Sequence, residues 1–127
     1  MNPAVKELWV EALESGRYVQ GFGTLTRRDA SGDKDCCLGV LCKLAVAAGV
    51  ILEGREVDIG HVVLSYDGDV SGVLPPAVMQ WAGLIKSDPD FGDWSLADYN
   101  DGHYRDGGVT LVQYDFAQIA GLIRDHF

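Results

Sequence analysis

The stretch Asp35-Cys-Cys-Leu-Gly-Val-Leu-Cys-Lys-Leu-Ala-Val-Ala-Ala-Gly49 decides how this chain folds. Its composition predicts a helix capped by Asp35, whose carboxylate can accept from the free amides of a first turn. Gly49 is the natural stop, because it enters the left-handed conformation without steric cost. Lys43 is the one charged residue between those ends, and apolar residues fall on every side of the helical wheel. A helix of that kind is normally buried, with the rest of the domain packed about it. At about fifteen residues it is too short to cross a bilayer. Gly39 inside the helix costs about 1 kcal/mol relative to Ala, and a close approach by another backbone would account for it.

The flanking segments supply partners for such a core. Residues 2–15 predict an amphipathic helix capped by Asn2, with Pro3 at its first position and Gly16 as its stop. Val5, Leu8, Trp9, Ala12 and Leu13 follow the spacing of one buried stripe. Residues 17–26 read as a strand with Tyr18, Gln20, Phe22 and Thr24 on one face, followed by a polar loop over 29–35. His61–Tyr66 reads as a strand that turns at Asp67-Gly68 and returns over Asp69–Leu74. A short helix is expected over Ala77–Ala82, a loop over 86–94, and a helix over Leu96–Asn100 opened by a Ser95/Asp98 capping box. A loop over His103–Gly108 and a strand over Val109–Val112 precede the last helix. That helix carries a second capping box, Asp115 with Gln118, and the stripe Phe116, Ile119, Ala120, Leu122 and Ile123. The expected fold is α+β: a single domain over 1–127, with a buried central helix, amphipathic terminal helices and a short antiparallel sheet.

Composition bounds the function. The chain of 127 residues is 47% hydrophobic and 23% charged, as ordinary globular domains are. Its polar start carries no signal-peptide pattern, and no apolar run would span a membrane. The three cysteines lie in one segment, which argues against a disulfide framework and for a reducing cytoplasm. The net charge of −9 arises after residue 55: up to there seven basic side chains balance seven acidic ones, and beyond it three face twelve. A long nucleic acid needs lysines and arginines to displace its counterions, so none is expected as a partner.

Several chemistries can be tested on paper. On a helix advancing about 100° per residue, Cys36, Cys37 and Cys42 splay in three directions and cannot converge on a zinc ion. Asp67-Gly-Asp-Val-Ser-Gly72 copies half of an EF-hand loop, but Val78 stands where a bidentate Glu is needed. No metal and no cofactor is expected. A cysteine hydrolase is the enzymatic alternative. Cys36 or Cys37 at a helix start would be the papain-like nucleophile, with His61 or His103 as base and Asp101 or Asn100 orienting it. The remaining arrangement is an anion cradle. The amides of Cys36 and Cys37 at the helix start, with Arg27 and Arg28 one loop away, could hold phosphate. Trp94, Tyr99 and Phe91 lie in loop-rich sequence where aromatics can stack on a base.

Taken together, Leu8-Trp9 with Ala12-Leu13, Gly16-Arg-Tyr, Gln20-Gly21, Cys36-Cys-Leu-Gly-Val-Leu-Cys42, Leu74-Pro75, Trp81-Ala-Gly-Leu84, Asn100-Asp101 and Ile119-Ala120 with Leu122-Ile123 form a pattern across the chain. That pattern resembles a family of small proteins encoded by phages and prophages, from which the longer segment Gly102 to Gln113 departs. The resemblance implies origin more than mechanism: small phage proteins are often counter-defence factors, and one class sequesters nucleotide-derived immune signals. The expected function is therefore sequestration of a cyclic dinucleotide or an ADP-ribose derivative in the cytoplasm of a bacterial host, without catalysis. Arg27, Arg28, Cys36 and Cys37 would hold phosphate, Gln20, Asn100 and Asp101 would contact sugar or base, and Trp94 would stack. A third reading is an acidic interaction module whose second half meets and inhibits a basic host protein. A second copy of the chain is admitted as a further partner.

Overall fold

In a computed structural model, residues 1–58, 60–105 and 109–127 are described, with the side chains of 58, 103–105 and 109–111 left aside. The predicted central helix is α2 (Cys37–Ala47), and Leu38, Val40, Leu41, Cys42 and Ala45 are fully buried in it. Gly39 sits where the expectation required. A Cβ there would lie 1.9 Å from the Leu25 carbonyl oxygen, so the preceding strand end runs directly against the helix.

The helix start differs from the expectation. Asp35 is the last residue of a strand, and Cys36 is the N-cap, its sulfur accepting from the Gly39 amide at 3.3 Å. The reason lies upstream. The expected loop over 29–35 is a hairpin of β2 (Thr26–Asp29) and β3 (Gly32–Asp35), which carries Asp35 past the position where it could cap. Asp29 makes that turn, accepting from the Ser31 amide at 2.8 Å. The single strand expected over 17–26 is likewise broken. Only β1 (Val19–Gln20) pairs, in parallel with β3, before the chain passes through Gly21 and Gly23 into β2.

The other two strands of this sheet are β4 (Glu53–Asp58) and β5 (His61–Tyr66), an antiparallel pair. The five strands form one mixed sheet in the order β1-β3-β2-β5-β4, not the short antiparallel sheet expected. The turn at Asp67-Gly68 exists, but the return over Asp69–Leu74 is limited to one bridge from Tyr66 to Asp69. The true hairpin partner of β5 precedes it. Residues alternate across the sheet. Thr26, Leu64 and Tyr66 are buried on the helix side, while exposed Arg27 lies on the other.

Around α2 pack α1 (Pro3–Glu14), α3 (Pro76–Ala82) and α4 (Leu96–Asp101), and α5 (Phe116–His126) lies against α1 and α4. Asn2 caps α1, and both expected capping boxes are formed. The expected loop over 86–94 contains a small hairpin, β6 (Asp90–Phe91) with β7 (Trp94–Ser95), closed at Gly92 with φ 64°. β8 (His103–Arg105) pairs antiparallel with β9 (Val109–Leu111), so the loop expected over His103–Gly108 begins as strand, and its residues 106–108 lie outside the described residues. The architecture is α+β. Among the described residues no helix is long and apolar enough to cross a membrane.

Candidate functional site

Two polar networks and one helix face hold the residues of interest. The first network gathers Gln20, Cys37 and the adjacent pair Asn100 and Asp101 from three separate parts of the chain. Asn100 is fully buried and makes four hydrogen bonds. Its Oδ1 accepts from the Cys37 amide and from Gln20 Nε2, both at 3.1 Å. Its Nδ2 donates to the Gly21 carbonyl at 2.9 Å and to Asp101 Oδ1 at 2.8 Å. That is the full hydrogen-bonding capacity of an Asn side chain. Gln20 Nε2 also donates to the Tyr114 carbonyl at 2.8 Å, and Asp101 Oδ1 accepts from the Gly23 amide at 3.3 Å. Buried polar groups need such partners, and here each finds one within the chain. The network fastens β1, α2, α4 and the entry to α5 together.

The amides expected to cradle an anion are engaged in the same way. The Cys36 amide donates to the Leu25 carbonyl at 3.0 Å, and the Cys37 amide to Asn100. Arg27 and Arg28 do not converge either. As neighbours on β2 they project from opposite faces of the sheet.

Arg28 belongs to a second network, on the helix side. Its guanidinium pairs with Asp33 at 2.6 and 2.9 Å. Lys43 bridges Asp33 and Asp35, at 3.0 Å to each. Asp35 accepts from Thr26 Oγ1 at 2.5 Å, and Thr26 Oγ1 is 2.8 Å from the Tyr66 hydroxyl. The Arg28 hydrogen bonds, helped by Lys43, hold the Asp33 carboxyl down at about 2, against an ordinary 3.8. Burial pushes the Asp35 carboxyl up, a tendency that Thr26 and Lys43 counter. Burial also works against the Lys43 ammonium, but its two aspartates outweigh it and its pKa is raised.

The thiols lie in the core. Cys36 is 4% exposed, and Cys37 and Cys42 are 0% exposed. Burial pushes the Cys36 thiol up to about 12 and raises the other two as well. A nucleophile needs the opposite shift. Cys37 is held on three sides. Its amide meets Asn100, its sulfur lies 3.6 Å from the Leu96 carbonyl, and its carbonyl accepts from Trp9 Nε1 at 2.9 Å. His61 shares the Arg27 face of the sheet, away from α2, since Val62 and Leu64 take the core side. The His103 side chain lies outside the described residues. Trp94 is half-buried on β7 opposite Phe91. Phe91 in turn stacks on Tyr99 at 5.3 Å and on His126 at 4.3 Å, so these rings lean on one another.

What the sequence pattern missed is on α1. Leu8, expected in the buried stripe, is 50% exposed, and Val10 is buried in its stead. At about 100° per residue the buried arc runs from Ala12 through Val5 and Trp9 to Val10, leaving Leu8 just outside it. The signal was present in Val10, whose apolar side chain shifts the centre of the arc. Leu8, Ala4, Glu7 and Glu11 line an open hollow of about 560 Å³. Glu7 and Glu11 also border a second hollow, of about 580 Å³, which extends over Val10 to Glu14 and Arg124. The two hollows make one continuous face around α1. Its glutamates are lightly committed: Glu11 pairs with Arg17 at 2.9 Å, and Glu14 with Arg124, all of them exposed.

Several of the acids after residue 55 have local duties. Asp69 accepts from the Ser71 amide, Asp88 from Ala97, Asp98 from Ser95 and Asp115 from Gln118. Asp90 pairs with Lys86 at 2.8 Å. Part of the negative charge is thus spent on turns and helix starts, where a carboxylate serves as backbone acceptor.

No curated protein and no solved structure matches this sequence. A family model described as "Domain of unknown function (DUF8296)" matches residues 1–127, and the chain belongs to that family.

Proposed function

We propose that this protein is a non-catalytic interaction module whose docking face is α1. The observation that carries the reading is Leu8, half exposed at the centre of a helix face that continues into hollows on both sides. An apolar centre within a polar rim is the layout of a protein interface. Two glutamates of the rim, Glu11 and Glu14, sit in exposed ion pairs that water screens, so they can exchange to a partner's basic side chains. The partner is a protein segment with an apolar side chain for the hollow beside Leu8 and basic groups to meet Glu7 and Glu11. In keeping with the resemblance to phage and prophage proteins, we place that partner in a bacterial host, where occupation of its surface would inhibit it. The acidic contribution we assign to α1, because in the second half Asp69, Asp88, Asp98 and Asp115 are engaged by their own backbone.

Nucleotide sequestration lacks comparable support. Its expected phosphate groups either point apart or are consumed by the chain itself. The test of the interaction reading is site-specific photo-crosslinking in the host. A benzophenone side chain at position 8 should trap a discrete protein, while the same group at exposed position 27 should not. No adduct at position 8, or identical adducts from both positions, would count against α1 as the docking face.

A further inference from the structure

We infer that β4 is the pairing edge of a symmetric dimer, in which two copies of this chain continue one sheet across a two-fold axis. β4 is the outermost strand of the five-stranded sheet and pairs on one side only, with β5. The Asp67 amide donates to the Leu52 carbonyl at 2.9 Å, just before the Glu53↔Tyr66 pair. In an antiparallel ladder, hydrogen-bonded and non-hydrogen-bonded pairs alternate. The backbone groups of Leu52, Gly54 and Glu56 therefore face β5, and those of Glu53, Arg55 and Val57 face the open edge. The side chains there are out in solvent, with Leu52 82% and Val57 87% exposed.

Charge chooses the occupant and the register. A two-fold perpendicular to the sheet keeps the helices of both copies on one side and pairs residues symmetrically about its centre. Centred on Gly54, it sets Glu53 of each copy opposite Arg55 of the other, two opposite-charge pairs on one face. Both residues turn their free amides and carbonyls toward the partner strand. Centred instead on Glu53, Arg55 or Glu56, it would set like charge against itself. Gly54 at the axis adds no side chain to the crossing. Charges on an edge strand ordinarily block pairing, but here the order Glu-Gly-Arg is complementary to its own reverse. This inference does not depend on what α1 binds.

Sedimentation velocity of the full chain, from about 1 μM to about 1 mM, should show a monomer–dimer equilibrium governed by mass action. Glu53→Arg and Arg55→Glu should each weaken the dimer about tenfold, by placing like charges opposite. The double exchange should restore it. Amide hydrogen exchange of the unmodified chain gives a second measurement: the amides of Glu53 and Arg55 should slow as concentration rises, and that of Gly54, already bonded to β5, should not. A monomer throughout the range, a dimer indifferent to the exchange, a double variant that fails to recover, or unchanged protection at Glu53 and Arg55 would each overturn the inference.

Discussion

The Cys37 amide donates to Asn100 Oδ1 at 3.1 Å, so a side chain from 63 residues further along the chain closes the first turn of the central helix. An Asp or Ser cap would do this locally; here the cap also locks α4 and β1 onto α2. Asn100→Ala strips partners from the buried Cys37 amide and from the Gly21 carbonyl. Leaving buried groups unpaired costs about 1–3 kcal/mol apiece, so a loss of about 3 kcal/mol is expected in urea unfolding. Asn100→Asp keeps the acceptor but turns the donor to Asp101 into a second carboxylate, and should not rescue. A loss under about 0.5 kcal/mol would mean the network is dispensable.

Gly39 and Gly121 offer a paired test. Both are helical, and helix propensity alone predicts that alanine stabilises each by up to about 1 kcal/mol. At Gly121 nothing lies within 4 Å of a Cβ, so that gain should appear as a higher melting temperature. At Gly39 the Leu25 carbonyl oxygen is 1.9 Å from the added carbon. Backbone would have to move, and overpacking of that kind costs about 1–3 kcal/mol. Gly39→Ala should therefore destabilise while Gly121→Ala stabilises. The same sign at both positions would refute the close approach of β2 to α2.

The three thiols should behave alike. In the folded protein each should react slowly with iodoacetamide or a disulfide reagent near neutral pH, and all should react together on denaturation. The sign of the pH effect follows from the raised folded-state pKa. Below the ordinary thiol value of 9.0 both states keep the proton and stability is unaffected. As pH rises from there toward about 12, the unfolded chain loses protons that folded Cys36 retains, and stability falls. Burial of Cys37 and Cys42 acts in the same direction. One thiol reacting at least tenfold faster than the others would instead revive the hydrolase.

How much of this was legible in the sequence depends on where each signal lies. Local chemistry translated directly. Asn2 with Pro3, Ser95 with Asp98, and Asp115 with Gln118 mark three helix starts that stand where expected. The all-round apolar α2 and its Gly39 announced a buried helix met by another backbone. What failed were signals that depend on pairing. The segment Asp29 to Asp35 reads as polar loop because its charged side chains are satisfied only by the cross-strand partners that folding supplies. The same blindness produced the phosphate cradle. Residues adjacent in sequence, Arg27 and Arg28, face apart, and amides free in an isolated helix are met by Leu25 and by Asn100. Gln20, Asn100 and Asp101 do come together, but as a fastening within the core.

Arg28 and Arg27 give the last and sharpest contrast. Adjacent in sequence, they diverge in the structure. Arg27 is exposed, and Arg27→Ala should change stability by less than about 0.5 kcal/mol. Arg28 makes a two-point pair with Asp33, at side-chain exposures of 33% and 22%. A pair that open is discounted for solvent screening, and Arg28→Ala should cost about 1 kcal/mol near neutral pH. Acid separates this pair from simple loss of packing. Asp33 in the folded protein titrates at about 2, below the 3.8 of an unperturbed aspartate, chiefly through its Arg28 hydrogen bonds. A depressed carboxyl contributes stability that is fully present above 3.8 and is lost as pH falls through about 2. The penalty of Arg28→Ala should therefore shrink across that window, as protonated Asp33 no longer rewards the guanidinium. Urea unfolding of the three proteins at pH 7, 4 and about 2.5 reads this directly. A penalty for Arg28→Ala that stays constant with pH would assign Arg28 a packing role and remove Asp33 from the account.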